Sequence, residues 1–332
     1  MTVFTVDDCW QDGWRGPSTI VADASGFRLA SDSDPTASAH LGGTIFPGFR
    51  DAHVHLGLID GSELLGGGIA IAHDFGWDLE SSRGWPTDTA LPEVRIAGQL
   101  LTAPGGYPTA SGWAPSDAAR EVAGPDDAPA AVDEQLEAGA TFIKLTLNSD
   151  AGPVLDDDAL AAIVGHAHTR GVTVAAHAQG AGQAARAFSA RVDVLAHAPW
   201  SERLSDDLIE AMAGKLSWVS TLDIHGWGSF NRDFAVANDN VRRFHAAGGD
   251  IRYGTDLGNG PMPVGINERE LVALEHAGLE LDALAAAIAP APAPGSFGRR
   301  ISRIERPRAD DPAHWLAAAH LIDPDNLKDY LS

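Results

Sequence analysis

The sequence predicts an α/β protein, a (β/α)8 barrel carrying a small β unit built from both chain ends, and three observations lead there. Eight short apolar runs recur along the middle of the chain; several are followed by stretches of helical periodicity that close on glycine; and the start of the chain reads instead as short strands with polar turns. Apolar runs of strand length alternating with amphipathic segments are what βα units and a parallel sheet require.

Taken in order, residues 1–46 hold strand-like pieces such as 18–22 and 27–30, joined by Gly- and Asp-rich connections. The eight strand candidates that follow are 45–49, 68–72, 94–97, 141–147, 172–176, 192–196, 216–221 and 251–254. Between them, 126–138, 156–170, 205–213 and 238–247 read as amphipathic helices, each followed by a glycine suited to a C-terminal cap. Eight parallel strands with intervening helices over about 250 residues is the size of a (β/α)8 barrel, and no Gly-rich phosphate loop follows the first strand to favour an open doubly wound sheet. A helical stretch follows at 268–289, and then the Pro/Ala run 290–294 reads as a linker. The tail is too short to fold alone and is expected to complete the N-terminal β unit. The expected division is therefore a β unit from 1–46 with 298–332, and a barrel from 47–297.

Composition narrows the function. The 332 residues are 44% hydrophobic, ample for a buried core. No stretch approaches the ~20 apolar residues that cross a bilayer, and Met1 to Asp8 lack the layout of a secretory signal, so a cytoplasmic location is expected. The single cysteine, Cys9, excludes an internal disulfide and excludes zinc sites built from several thiolates, leaving His and carboxylate to hold any metal. A net charge of −23 disfavours nucleic acid and anionic membrane surfaces, because phosphates would be repelled. The expected partner is a small-molecule substrate, and a homo-oligomer is allowed.

The strongest local signal is His53-Val54-His55, just after the first barrel strand. Residues two apart on a strand point to one side, so both imidazoles face one place. Other polar groups fall in or just after different apolar strands: Lys144 within Phe142-Ile143-Lys144-Leu145, His177 after Val174-Ala175-Ala176, His197 after Val194-Leu195-Ala196, and Asp256 after Tyr253-Gly254-Thr255. In a barrel the C-terminal strand ends form one rim, so these six side chains would converge there. A Lys and an Asp on barrel strands need partners in an apolar interior, and a metal centre satisfies both. Each residue also has a plainer reading, Lys144 as an ion-paired or snorkelling lysine and the histidines as satisfied core residues, but convergence favours the site. His73, His225 and Tyr107, the last in the Gly-rich loop 103–108, are candidates for contact with substrate. Arg83, Arg203 and Arg232 are candidates to bind a substrate carboxylate or to be only solvated.

These motifs, from Pro47 to His55, from Gly139 to Lys144, the two Ala-His-Ala sites and Gly254-Thr255-Asp256, resemble the amidohydrolase superfamily over residues 41–289. The likeness is greatest to its imidazolonepropionase-like and prolidase-like branch. The resemblance implies two Zn2+ ions: His53 and His55 on the more buried one, His177 and His197 on the other, Lys144 bridging both after carboxylation, and Asp256 as ligand and general base. A lysine carbamate is anionic and offers one oxygen to each metal, whereas an ammonium would repel both. The implied nucleophile is a metal-bridging hydroxide, whose formation the metals favour by acidifying water. The runner-up site is mononuclear, with His53, His55, His177 and Asp256 around one ion and Lys144 unmodified. The implied activity is hydrolysis of an amide or related C–N bond in a dipeptide, N-acyl amino acid or cyclic amide. The alternatives are an esterase, lactonase or phosphotriesterase on the same site, and a catalytically silent metal-binding barrel. Two departures from the family stand out, the Pro/Ala run after the last barrel strand and the short terminal tail.

Overall fold

The apolar alternation at the chain start is satisfied by a sheet rather than by the strands that follow it. The computed structural model describes residues 1–290 and 292–332. It opens with β1 (Thr2–Cys9), β2 (Ser18–Asp23), β3 (Gly26–Leu29) and β4 (Ala39–Pro47). Then come β5 (Arg50–Val54), β6 (Ile71–Asp74), β7 (Glu93–Ile96), β8 (Leu100–Thr102), β9 (Ala119–Glu121) and β10 (Ile143–Asn148). These are followed by β11 (Val174–Gln179), β12 (Val194–Leu195), β13 (Ser217–Val219) and β14 (Asp250–Arg252). The chain ends with β15 (Ser296–Gly298), β16 (Ile301–Ile304) and β17 (His320–Ile322).

Strands from both chain ends form one curled seven-stranded sheet, ordered β15-β3-β2-β1-β4-β16-β17. Phe4, Val6, Ile20, Leu41, Ile45, Phe297, Ile301 and Ile322 bury one face of it in a core of its own. The expected first barrel strand at 45–49 is corrected here. Ile45 pairs with Cys9 and Arg303, and Pro47 with Ile301, so residues 45–47 end β4 in this terminal sheet. Pro47 has no N–H to extend the ladder. At Gly48 a Cβ would sit 2.5 Å from that of Ala70, so the chain breaks there and restarts as β5.

The middle strands form two sheets in which adjacent strands run parallel, β5-β6-β7 and β14-β13-β12-β11-β10-β8-β9. Seven of the eight expected strands lie here, within a few residues of their expected limits. The strands β8 and β9 were not expected, because three-residue pieces are too short to show a period. The left-handed turn at Gly98, φ +75°, redirects the chain after β7 so that β8 pairs with β10 instead. Backbone bonds link the two sheets on both sides. Thr141 donates to Ile96 O at 3.0 Å, while Ala52 donates to Tyr253 O at 3.0 Å, His55 to Leu257 O at 2.9 Å and Asp256 to His53 O at 2.8 Å.

All four expected helices form, at Ala128–Glu137, Asp157–Thr169, Asp206–Met212 and Arg232–Ala246. Asp156, Ser205 and Asn231 accept from backbone N–H groups at three of their N-termini, so the last starts six residues before its expected start at 238. The stretch at 268–289 divides at Gly278, φ +91°, into Glu268–His276 and Leu281–Ile288. Of the linker expected at 290–294, residue 291 lies outside the described residues. No described helix is long and apolar enough to cross a membrane.

Parallel strands pack helices on their outer face. Trp218 of β13 stacks on Phe244 of the helix Arg232–Ala246, ring centroids 3.9 Å apart at 7°, and both are fully buried. On the inner side, Phe75 and Phe142 fill the space among Ala52, Ala97, Ala175, Val194, Ala196 and Val219. Large beside small residues is how such an interior closes without voids. Truncating Phe244 to Ala is expected to cost about 3–5 kcal/mol, read as a shift in the urea midpoint at constant m-value; a loss under about 1 kcal/mol would show that the stack is dispensable.

Candidate metal centre

β5 delivers His53 and His55 to the C-terminal end of the parallel strands. The Asp51 carboxylate accepts from the His53 N–H and from the Thr255 N–H, both at 3.0 Å, and from the Thr255 hydroxyl at 2.5 Å, tying β5 to the segment after β14. Burial pushes Asp51 up to about 7, against these hydrogen bonds. The His53 Nδ1–H donates to Ala196 O at 2.8 Å and the His55 Nδ1–H to Gly76 O at 3.1 Å. Those carbonyls can only accept, so they fix the proton on Nδ1 and leave a lone pair on each Nε2. The two Nε2 atoms face one another at 3.4 Å, and lie 3.1 Å and 3.4 Å from Asp256 Oδ1.

Three acceptors aimed at one buried point repel unless a cation stands among them. His197 joins the group: its nearest ligand atom and those of His53 and Asp256 all lie within 4.8 Å of one another, and all three residues are buried. Its Nδ1 lies 3.0 Å from the Thr221 hydroxyl. Thr221 and Asp256 both hold left-handed backbone, φ +42° and φ +55°, a conformation that costs a non-glycine residue energy and is kept where surrounding contacts impose it. Gly254 allows the close approach of the Asp256 segment, since a Cβ there would lie 2.3 Å from Val219 Cγ1 and 3.0 Å from the His53 N. Burial alone would raise the Asp256 carboxyl, but His53, His55 and His197 override it and hold the group well below the usual carboxylate range. Burial also lowers His53 to about 4 and His177 to about 3, so both imidazoles are neutral and able to ligate. The donor set therefore fits a divalent cation of the zinc type.

Lys144 lies on the inner side of β10, only 1% exposed, with its Nζ 4.5 Å from the centre of the Phe75 ring. Burial pushes its ammonium down to about 7, partly opposed by Asp256 and Asp74. His177 packs at the same end, its ring 4.9 Å from that of His197, with Nε2 3.2 Å from Gln179 Oε1. Tyr107 stacks on His177 at 5.1 Å, its loop held by the Thr146 hydroxyl donating to Tyr107 O at 2.6 Å. His225 is buried with its Nε2 unpartnered, 5.0 Å from the Trp200 ring. All six proposed ligands and two of the three proposed substrate contacts thus lie at one end of the strands.

His73 is the exception. It points toward the opposite end, 6.1 Å from Phe142, and lines a cavity of about 860 Å³ with Arg50, Arg95 and Arg300. It sits two residues before Phe75 on the same inner face, so Phe75 and Phe142 separate it from the ligands. Of the three arginines singled out in the sequence, two are ion-paired and, among the described residues, Arg83 is not. Arg203 pairs with Asp239 at 3.1 Å and Arg232 with Asp233 at 3.2 Å, and Arg83 is an exposed helix cap.

Several positioning residues escaped the sequence. Asp51 had a signal, an acid two residues before the first histidine. Asp74, which accepts from Leu56 N and Gly76 N, and Glu270, which accepts from Leu222 N and Asp223 N, had none, because their partners are backbone groups, all but Gly76 distant along the chain. Trp113 and Trp200, which pack on the imidazoles, sit in loops without periodicity.

No family model matches the chain. Uncharacterized proteins of Mycobacterium tuberculosis and Mycobacterium bovis are 33% identical over 200 residues, covering 54% of this chain and 51% of each relative, so the chain spans about half the length of the curated relatives it matches. Among solved structures, a Xaa-Pro dipeptidase with bound methionine has a TM-score of 0.75 at 20% identity, covering 100% of this chain and 99% of that one. The ochratoxinase of A. niger has a TM-score of 0.75 at 19% identity, with 97% and 94% covered. A putative prolidase from Bifidobacterium longum has a TM-score of 0.75 at 20% identity, with 97% and 93% covered. In fold, this chain is similar to solved amidohydrolase and prolidase structures.

Proposed function

We propose that the protein is a metal-dependent hydrolase that cleaves an amide or related C–N bond in a small molecule. The observation that carries this reading is the convergence of the His53 and His55 Nε2 lone pairs on Asp256 Oδ1 in a buried place. In this reading the parallel strands close as an eight-stranded barrel, supported by the bonds from Ala52 and Asp256 that join β5 to the segment after β14.

His53, His55, His177, His197, Asp256 and a carboxylated Lys144 would hold two divalent cations, with Zn2+ the expected ion. When bound, such cations polarise a scissile carbonyl and acidify water. Asp256 does the proton work: Asn259 Nδ2 donates to its Oδ2 at 2.9 Å, which fixes the carboxylate plane while Oδ1 faces the imidazoles. It takes a proton from the attacking water and returns it to the leaving nitrogen. Lys144 carboxylation adds the neutral amine to carbon dioxide with loss of one proton, and burial without an ion-pair partner supports that neutral form.

Lys144→Ala is expected to lower bound metal, read by elemental analysis of purified protein, and to abolish turnover; full metal content with full activity overturns the bridging role. Asp256→Asn is expected to reduce kcat by roughly 10²–10⁴ on a panel of amides. Equal activity of the two proteins on every amide and ester of the panel, with metal bound, would leave a silent metal-binding protein. Faster turnover of esters or phosphotriesters than of any amide would replace the C–N reading. Chelation is expected to lower Tm, recovered on adding Zn2+, since a ligand of the folded state stabilises it by mass action.

A further inference from the structure

We infer, resting on the hydrolase reading above, that the substrate presents a neutral aromatic or broad apolar group, rather than a free carboxylate, to a wall formed by Trp77, Tyr107, Trp113 and Trp200. These four side chains come from three loops, Tyr107 and Trp113 sharing the one between β8 and β9, and border the candidate ligands in a continuous line. Trp77 lies 6.2 Å from Trp113, which is 5.1 Å from His55 and 6.3 Å from Tyr107. Tyr107 stacks on His177, and Trp200 covers the other side, 5.7 Å from His177, 5.4 Å from His197 and 5.0 Å from His225. Such spacings leave ring faces and edges that an aryl group can meet in stacked or edge-to-face contact.

The charges at this end argue in the same direction. A recognised carboxylate calls for a guanidinium or ammonium to replace its water. Arg203, Arg232 and Arg269 are each committed to an aspartate, the last to Asp223 at 2.8 Å. Lys144 lies beneath the site against Phe75. The unpartnered His225 Nε2 offers a hydrogen bond to a neutral heteroatom instead. A fold shared with dipeptidases therefore carries a wall unsuited to the free C-terminus of a dipeptide.

The test uses the purified, Zn2+-loaded full chain and two matched pairs. N-benzoyl-phenylalanine and its primary amide share one scissile bond and differ in a carboxylate; N-benzoyl-phenylalaninamide and N-acetyl-alaninamide share charge and differ in aromatic surface. The amide is expected to exceed the acid by about tenfold in kcat/KM, and the aromatic member to exceed the aliphatic one by at least as much, the scale of an uncompensated charge or a lost aromatic contact. Trp113→Ala is expected to lower kcat/KM for the aromatic amide about tenfold more than for N-acetyl-alaninamide, and Trp113→Phe to restore most of that selectivity. Equal or better turnover of the free acid, or of the aliphatic amide, overturns the inference while leaving amide hydrolysis intact. If none is cleaved, the hydrolase reading fails on this panel, and intrinsic tryptophan fluorescence with the same four compounds still decides the wall: tighter binding of the aromatic amide upholds it, and tighter binding of the acid overturns it.

Discussion

Two imidazole lone pairs and a carboxylate oxygen meet in a space shielded from water, and much of the local architecture serves to hold them there. Each histidine is locked into its ligating tautomer by a carbonyl from another strand or loop, Ala196 O for His53 and Gly76 O for His55. The carboxylate is held by its own backbone N–H on His53 O and by a left-handed φ. Without these restraints the groups would turn away from one another, since like lone pairs repel and buried charge is costly.

The restraints form a second layer of buried acids whose partners are mainly backbone N–H groups. Asp51 joins β5 to Thr255, Asp74 fixes the turn that carries Gly76, and Glu270 caps the segment leading to His225. A carboxylate that accepts several N–H bonds positions a loop more rigidly than packing does, because its directional bonds must all be satisfied at once. Beneath the site, Phe75 gives His53 a stacking face at 4.2 Å and lies under the Lys144 ammonium. It is also the partition that keeps His73 and the cavity at the other end out of the chemistry.

Placing chemistry at the C-terminal ends of parallel strands follows from how such strands are used: the interior residues hold the scaffold, while the connections that leave it are free to vary. The four-ring wall belongs to those connections. Sites on a shared fold take their specificity from such loops rather than from the scaffold.

The strand-borne part of the site was legible in the sequence because strand geometry has a fixed period of two: His53 and His55 must share a side, and Lys144, His177, His197 and Asp256 stand at the ends of recognisable apolar runs. Helices were legible from their 3.6 period and glycine stops, apart from the start at Asn231, whose local capping bond to the Phe234 N–H lies ahead of the apolar period. Three things were not legible. The run at 45–49 carries the same apolar pattern whether it ends the terminal sheet or begins the next one, and only pairing with β1 and β16 decides. His73 follows the same rule of alternation as the ligands, but its depth along the strand, below Phe75, depends on the stagger between neighbours. The aromatic wall lies in loops, where no period links one residue to the next. The sequence by itself determined which strands bring candidate ligands to one end, because that rests on local periodicity; the tertiary structure decided how deep each side chain lies and which loops meet over it, because stagger and loop closure are set by contacts between residues far apart in the chain.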